Sequence, residues 1–471
     1  MSAKKTPAPA APDATATPPA GAATASGKAR RIEVKHVSRV EGHGNIVVEI
    51  DAQGKVRTCR WEVPEAPRFF EAMILGKDFR QIHQIVSRIC GICSIGHQLT
   101  SLQATEDALG VQVSEQTLRL RKLALHAENL QSHILHVAYL VLPDLAGAGS
   151  IIPLAATHRQ ELTNCIALHR AANEFSRVIC GRTTHPQRLV PGGFTRIPTP
   201  AELAALKKQL EDAVPRLLDA VALVASLREA LPDFQRPTEY VALHSPTEYA
   251  MYWGEVGTNL EEQPVPALYY RDLTNEYLVP HSTAKWTRNK ADSLMVGALA
   301  RFNRNHKRLS PLGRSVAGTL GLKAPCANPY MNSLAQLVEC AHSLEDSIRL
   351  IDELLARGLR AEPAPDIAPR AGRGVGAMEV PRGILFHFYE YDSKGRIVNA
   401  DCVIPTNQNH ANIQKDLDAL VPAIKDKSEA EIELLTSMLV RAYDPCISCS
   451  THFVDLREPE TRSFVRFVRV D

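Results

Sequence analysis

At 471 residues the chain is long enough for a large core or two domains, and 45% hydrophobic with 23% charged residues is the balance of an ordinary globular protein. A formal net charge of +2 argues against nucleic-acid binding as the main activity, and no apolar run approaches the roughly 20 residues of a membrane span. Ten cysteines in this length are not a secreted disulfide framework: four fall in two C-x-x-C couplets that look like ligands, and the other six (Cys59, Cys165, Cys180, Cys326, Cys340, Cys402) are expected to be buried small hydrophobes.

Residues 1–30 are mostly Ala, Pro, Thr and Lys, with almost no large apolar side chain. They cannot bury enough surface to offset chain entropy and read as a disordered tail. The tail has no apolar stretch of a secretory signal. Arg30-Arg31 is followed by Ile-Glu-Val-Lys rather than by a twin-arginine pattern, and a plain tail is preferred over a transit peptide. The expected location is cytoplasmic.

Residues 32–63 read as short strands, with Asn45–Ile50 and Lys55–Trp61 flanking the hairpin signal Ala52-Gln-Gly54. Between them and the first strand lies Ser38-Arg-Val-Glu41-Gly-His43-Gly, where Glu41 by itself is a solvated loop carboxylate. Pro67-Arg-Phe-Phe-Glu71 precedes a Gly76-Lys-Asp78 turn, and Glu71 by itself fits the surface of an amphipathic helix. The first couplet follows in Arg88-Ile-Cys90-Gly-Ile-Cys93, with His97 four residues on. Two thiols three apart at a helix start can face one metal ion, and the amide N–H groups there favour the thiolate. A helix then runs to Leu109, with Leu99, Leu102, Ala108 and Leu109 on one side. A longer amphipathic helix over 116–140 carries Ser132-His-Ile-Leu-His136, whose histidines read as core or surface residues rather than ligands. Val190-Pro-Gly-Gly193 demands a turn with positive φ. Residues 201–231 make another amphipathic helix, 232–315 read as irregular structure packed on the helical core, and 332–358 are again a long helix.

Gly383–Tyr391 and Arg396–Ile404 alternate like two strands around the turn Asp392-Ser-Lys-Gly395. A regular hairpin sets Arg382 beside Pro405 with facing Cβ atoms about 5 Å apart. It thereby joins Glu379-Val-Pro381-Arg382-Gly383 to Cys402-Val-Ile404-Pro405-Thr406, which argues against Arg382 being a mere surface ion pair. A last helix over 428–443 ends at Asp444-Pro445. The second couplet, Cys446-Ile-Ser-Cys449-Ser-Thr-His452, follows. Two couplets make a four-thiolate pocket suited to nickel, zinc or iron. Structural zinc modules usually close over about 12 to 20 residues, whereas these couplets lie about 350 residues apart. The expected fold is α+β and mainly α, with long central helices around a metal site and small peripheral β-hairpins.

The segments R-x-C-G-x-C-x-x-x-H and D-P-C-x-x-C-x-x-H resemble the signatures of the large subunit of nickel–iron hydrogenases, in the same order and at the same ends, and the resemblance covers most of residues 32–452. It implies one catalytic domain over 31–452. It also implies an extension over 453–471 that a maturation endopeptidase removes after His452 once nickel-insertion proteins have loaded the site; a short C-terminal strand is the structural alternative. By resemblance, Cys90 and Cys446 are terminal nickel ligands, and Cys93 and Cys449 bridge nickel to an iron carrying cyanide and carbon monoxide. Glu41, in a segment similar to R-[IV]-E-G-H, takes the proton from heterolytic cleavage of H2. Arg382 and Thr406 donate to the cyanides, while Pro381, Ile404 and Pro405 wall the carbonyl. Glu71, the Cys402 carbonyl and His452 hold magnesium or another divalent ion, although Phe69 stands where the family usually has Gly. Ser132 replaces the aspartate usual in membrane-bound uptake enzymes, as in the soluble, cofactor-coupled group. No cysteines are left in a cluster pattern, so the resemblance implies an iron–sulfur small subunit and further electron-transfer subunits, with NAD(P), F420 or a thiol/disulfide couple as acceptor. Two alternatives are a hydrogen-sensing subunit, which usually lacks the C-terminal extension, and a non-catalytic relative like the quinone-site subunit of respiratory complex I, which lacks the cysteines.

Overall fold

The computed structural model describes residues 29–452. The expected tail, apart from its last two residues, and the expected extension after His452 lie outside the described residues. The first strand, β1 (Arg30–Val34), pairs antiparallel with β2 (Asn45–Ile50), which pairs with β3 (Val56–Glu62) in the expected hairpin. Short helices α1 (Phe70–Ile74) and α2 (Phe79–Val86) lead to α3 (Ser94–Leu109), which directly follows the first couplet. All residues of α3 but Asp107 are buried, so it is a central helix without a solvent stripe. Its end is set by Gly110 in the left-handed conformation.

The helix α4 (Glu115–Leu135) continues through a π-helical turn over His136–Val141 into α5 (Leu142–Leu145). Next come α6 (Arg159–Cys180), a two-strand turn of β4 (Leu189–Val190) and β5 (Gly193–Phe194) with Gly192 at φ 78°, and α7 (Pro200–Leu227) behind a Thr199–Glu202 capping box. The 22-residue α6 was not anticipated, although Leu162, Cys165, Leu168, Ala172 and Phe175 do fall on one helical face. The region expected to be irregular contains β6 (Glu239–His244), β7 (Glu255–Thr258), α8 (Tyr270–Thr274), β8 (Tyr277–Val279), β9 (Ser282–Trp286), β10 (Leu294–Met295), α9 (Ala298–Asn305) and α10 (Pro311–Thr319). Its elements are short and take their partners from distant segments, which hides them from local periodicity. The long α11 (Asn332–Arg357) closes a ring in which α4, α6, α7 and α11 pack in succession.

A three-stranded antiparallel sheet follows, β11 (Gly372–Val380), β12 (Gly383–Tyr391) and β13 (Ile397–Val403). It is not peripheral, because β11 lies directly on α3. A Cβ on Gly372, Gly374 or Gly376 would come within 2.0, 2.2 and 2.1 Å of the carbonyl oxygens of Ala108, Ala104 and Thr100. Alternate residues share one face of a strand, so this G-x-G-x-G is a bare track on which the couplet's helix rests. The chain closes with α12 (Pro405–Ile424), also unanticipated, and α13 (Glu429–Ala442). The first half of α12 is buried on all sides and polar, with Asn407, Gln408, Asn409, His410 and Asn412, so an apolar stripe marks only its second half, at Ile413, Leu417, Leu420, Val421 and Ile424. No helix among the described residues is long and apolar enough to cross a membrane.

Candidate metal centre

The two couplets meet. The ligand atoms of Cys90, Cys93, Cys446 and Cys449 all lie within 4.8 Å of one another, and all four residues are buried. Cys90 and Cys446 bring their sulfurs to 3.5 Å, Cys446 and Cys449 to 2.8 Å, and no cysteine of the chain is in a disulfide. The first couplet sits at a helix start as expected, with Cys93 as the N-cap of α3. The second does not; beyond α13, Cys446 bridges to Glu41 and Cys449 lies in a 3-10 turn over Ser448–Ser450.

The helix-start amides are shared differently from the expectation. Cys93 N donates to Cys90 Sγ (3.1 Å), but Ile95 N and Gly96 N donate to the Glu128 carboxylate of α4 (2.6 and 2.9 Å). Burial pushes Glu128 up to about 8. Glu128 was missed from sequence, yet it lies four residues from Ser132 and so shares its helix face. Gly96 makes room for it, since a Cβ there would stand 2.6 Å from its Oε1.

The four thiols titrate as one set. Burial raises Cys90, but hydrogen bonds from the other three sulfurs and the charge of Arg382 outweigh it and bring Cys90 well below the ordinary thiol range. Cys446 is held well above that range by hydrogen bonds with Cys449, Cys90 and Cys93 and by burial. Like charges this close cannot all form in a protein interior unless a cation compensates them. Four soft sulfur donors in one buried cluster fit a thiolate-bound transition metal.

Arg382 is 4% exposed and is aimed at the cluster from a hairpin tip. The hairpin is not the expected one. Val380 pairs with Gly383, so Pro381 and Arg382 form the two-residue turn between β11 and β12, and Gly383 takes φ 134°. On the other side, a bulge at Glu390/Tyr391 shifts the β12–β13 register, His387 faces Cys402, and β13 ends at Val403. Arg382 and Pro405 are therefore not cross-strand neighbours; Pro405 instead opens α12. The guanidinium donates through Nε to Asp444 O (2.6 Å), through Nη2 to Asp444 Oδ1 (2.7 Å) and through Nη1 to Ser132 Oγ (3.2 Å). Thr406 Oγ1 accepts from Cys446 N (3.0 Å), which leaves its O–H free to donate. Ile404 belongs to the apolar cluster that contains the four sulfurs, and Pro381 and Pro405 are buried.

Glu41 is half-buried on the loop between β1 and β2. Its Oε2 accepts from Ser448 N (3.1 Å) and its carbonyl from Ile447 N (2.9 Å), which places it beside the second couplet. Below the cluster, His452 Nδ1 lies 2.6 Å from Glu71 Oε1, and His452 Nε2 bonds Cys449 O (2.7 Å). Glu71 Oε2 is buried without a partner, and the nearby Lys285 is already paired with Glu276. An orphaned carboxylate oxygen of this kind fits a hard divalent ion. His133 and His136 are buried core residues bonded to Glu339 and Gln336. Of the six remaining cysteines, Cys59 and Cys326 are only half-buried, while the other four are buried as expected.

Arg301, also missed from sequence, pins the hairpin tip. It is fully buried, pairs with Glu339 and Glu379, and donates to the carbonyls of Val380 and Pro381. One cation serves two carboxylates. Glu339 is held well below the carboxylate range despite burial, whereas burial pushes Glu379 up to about 7. The folded chain therefore holds a proton on Glu379, between the ordinary carboxylate value and about pH 7, that the unfolded chain has lost. Stability relative to a Glu379→Gln variant is expected to fall as pH rises through that window and to level off above it. Melting curves of both proteins from pH 5 to 8 check this; parallel curves would contradict it.

The fold and the site define a metalloprotein with a buried thiolate centre assembled from two distant segments of the described chain. The family described as nickel-dependent hydrogenase matches residues 68–152 and 283–452, and a HoxL-like segment matches 31–66. Sulfhydrogenase 1 subunit alpha of Pyrococcus furiosus is 32% identical over 90% of this chain and 98% of its own length. NAD-reducing hydrogenase HoxS subunit beta of Cupriavidus necator is 25% identical over 90% and 95%. The crystal structure of an NAD+-reducing [NiFe]-hydrogenase in the H2-reduced state superposes with a TM-score of 0.80 at 26% identity, covering 90% of this chain and 99% of that one. The chain belongs to the nickel-dependent hydrogenase family: it is a hydrogenase large subunit, an oxidoreductase.

Proposed function

We propose that the chain cleaves H2 reversibly and heterolytically with a nickel–iron pair that Cys90, Cys93, Cys446 and Cys449 would hold. The observation that carries this is the convergence of four buried sulfurs under one buried guanidinium. When bound, the metal pair, its iron ligated by cyanide and carbon monoxide, supplies the polarisation that splits dihydrogen. The residues do the rest. Arg382, locked by Asp444 and Ser132, offers a fixed positive charge to anionic ligands, and the Thr406 hydroxyl offers a second donor. Pro381, Ile404 and Pro405 keep water from the opposite side. A cysteine sulfur accepts the proton, and Glu41, whose carboxylate stands beside the second couplet, relays it outward. Glu71, the Cys402 carbonyl and His452 hold magnesium or another divalent ion beneath the couplet.

The electrons leave through an iron–sulfur small subunit and further subunits to a soluble acceptor in the cytoplasm. The relatives named as subunits of sulfhydrogenase and of NAD-reducing hydrogenase support that assembly. Nickel insertion followed by endopeptidase removal of the residues after His452 completes the reading. Metal analysis with infrared spectroscopy of the purified complex tests it. Nickel and iron near one each per large subunit, after subtraction of small-subunit iron, with cyanide and carbonyl stretches, is the expected result. Zinc without those bands, in material made with its maturation proteins, would return the couplets to a structural role.

A further inference from the structure

Glu41 reaches the thiol cluster on a loop, not on a helix or strand. Within that loop Arg39 and Gly42 take φ 60° and 86°. Gly42 adopts this region at no steric cost, but arginine does not, so surrounding structure must hold Arg39 there. The holder is a carboxylate from α5. The Asp144 side chain, 3% exposed, receives Arg39 Nη2 on Oδ1. It also receives Arg441, through Nε on Oδ2 (2.7 Å) and Nη2 on Oδ1 (3.0 Å). Arg39 Nη1 donates to Leu140 O (2.6 Å), and Arg441 Nη1 donates to Ser38 O (3.0 Å). Arg441 lies at the end of α13, whose chain runs straight into the second couplet, and His136 Nε2 bonds its carbonyl (2.8 Å). One buried carboxylate thus grips both the loop that carries Glu41 and the helix end that delivers Cys446. Between those grips the two segments touch through the bonds from Ile447 N and Ser448 N to Glu41.

We propose that Asp144 is a positioning residue for proton transfer: by tethering Arg39 and Arg441 together, it sets the Glu41 carboxylate against the Cys446–Cys449 turn. The proposal rests on Glu41 being the proton relay. Small displacements matter at such a site, since a misplacement of about 1 Å can cost on the order of 100-fold in rate.

The test uses the metal-loaded complex in wild-type, D144N, D144E, R39Q and E41Q forms. Nickel and iron content are measured, together with H2-dependent turnover in H2O and in D2O. D144N is expected to keep its metals and lose about tenfold in turnover, with a solvent isotope effect larger than that of the wild type. D144E, which restores the charge, is expected to recover part of both. R39Q cuts only the loop side of the clamp and is expected to show the same signature, which covers the case of D144N failing to accumulate. An unchanged isotope effect in D144N or R39Q, with turnover falling only in proportion to metal content, would reduce the clamp to a structural role and overturn the proposal. Wild-type behaviour in E41Q would instead remove the Glu41 relay and the proposal with it, so the two failures are told apart.

Discussion

Replacing Glu41 with Gln is expected to lower hydrogen turnover by a factor of about 10² to 10⁴, the usual range for loss of a proton-transfer group, while nickel and iron content stay at the wild-type level. The glutamine oxygen can still accept the Ser448 N–H that the Glu41 carboxylate now holds, and the backbone bond from Ile447 is untouched. The loop and the second couplet therefore keep their places, and what disappears is a group able to take up and release a proton. None of the four sulfurs is altered. Turnover, metal analysis and the infrared bands of the same preparation give the answer together. A variant that loses metal as fast as it loses activity would mean that Glu41 builds the site rather than serves it. Full activity would place the relay elsewhere, and Glu128 of α4, buried against the start of α3, would be the next group to test.

Gly376→Ala is expected to damage the protein as severely, by a different route. A methyl group at this position would stand 2.1 Å from Thr100 O and 3.0 Å from Ala104 N, both backbone atoms of α3. Backbone cannot swing aside as a flexible side chain can, so either β11 or α3 must move. Overpacking of this kind typically costs 1–3 kcal/mol, and contact with backbone argues for about 3 kcal/mol. The displacement reaches the metal centre directly, because α3 begins one residue after Cys93. Thermal midpoint and nickel content are expected to fall together. Gly318→Ala, at an exposed position where a Cβ meets nothing within 4 Å, is the control. A Gly376→Ala protein with wild-type midpoint and metal content would show that the α3–β11 contact has slack.

The sequence by itself determined which chemistry the chain carries. Cysteine spacing, the proline and glycine punctuation around Arg382, and long apolar periodicities are local properties. They made the two cysteine couplets, the β2–β3 hairpin and most of the long helices legible. Periodicity failed where the buried surface is polar, as on the first half of α12, or where strands are two to six residues long and paired across sequence, as with β6, β7 and β10. It also failed at the β12–β13 register, because a single bulged residue, invisible in the alternation, moves every downstream partner. The tertiary structure decided what surrounds the sulfurs. Glu128, Arg301 and Asp144 are ordinary charged residues in sequence, and nothing local marks them. Each matters only because folding places it in a dry interior, where a carboxylate or guanidinium must find a partner and thereby fixes whatever partner it finds.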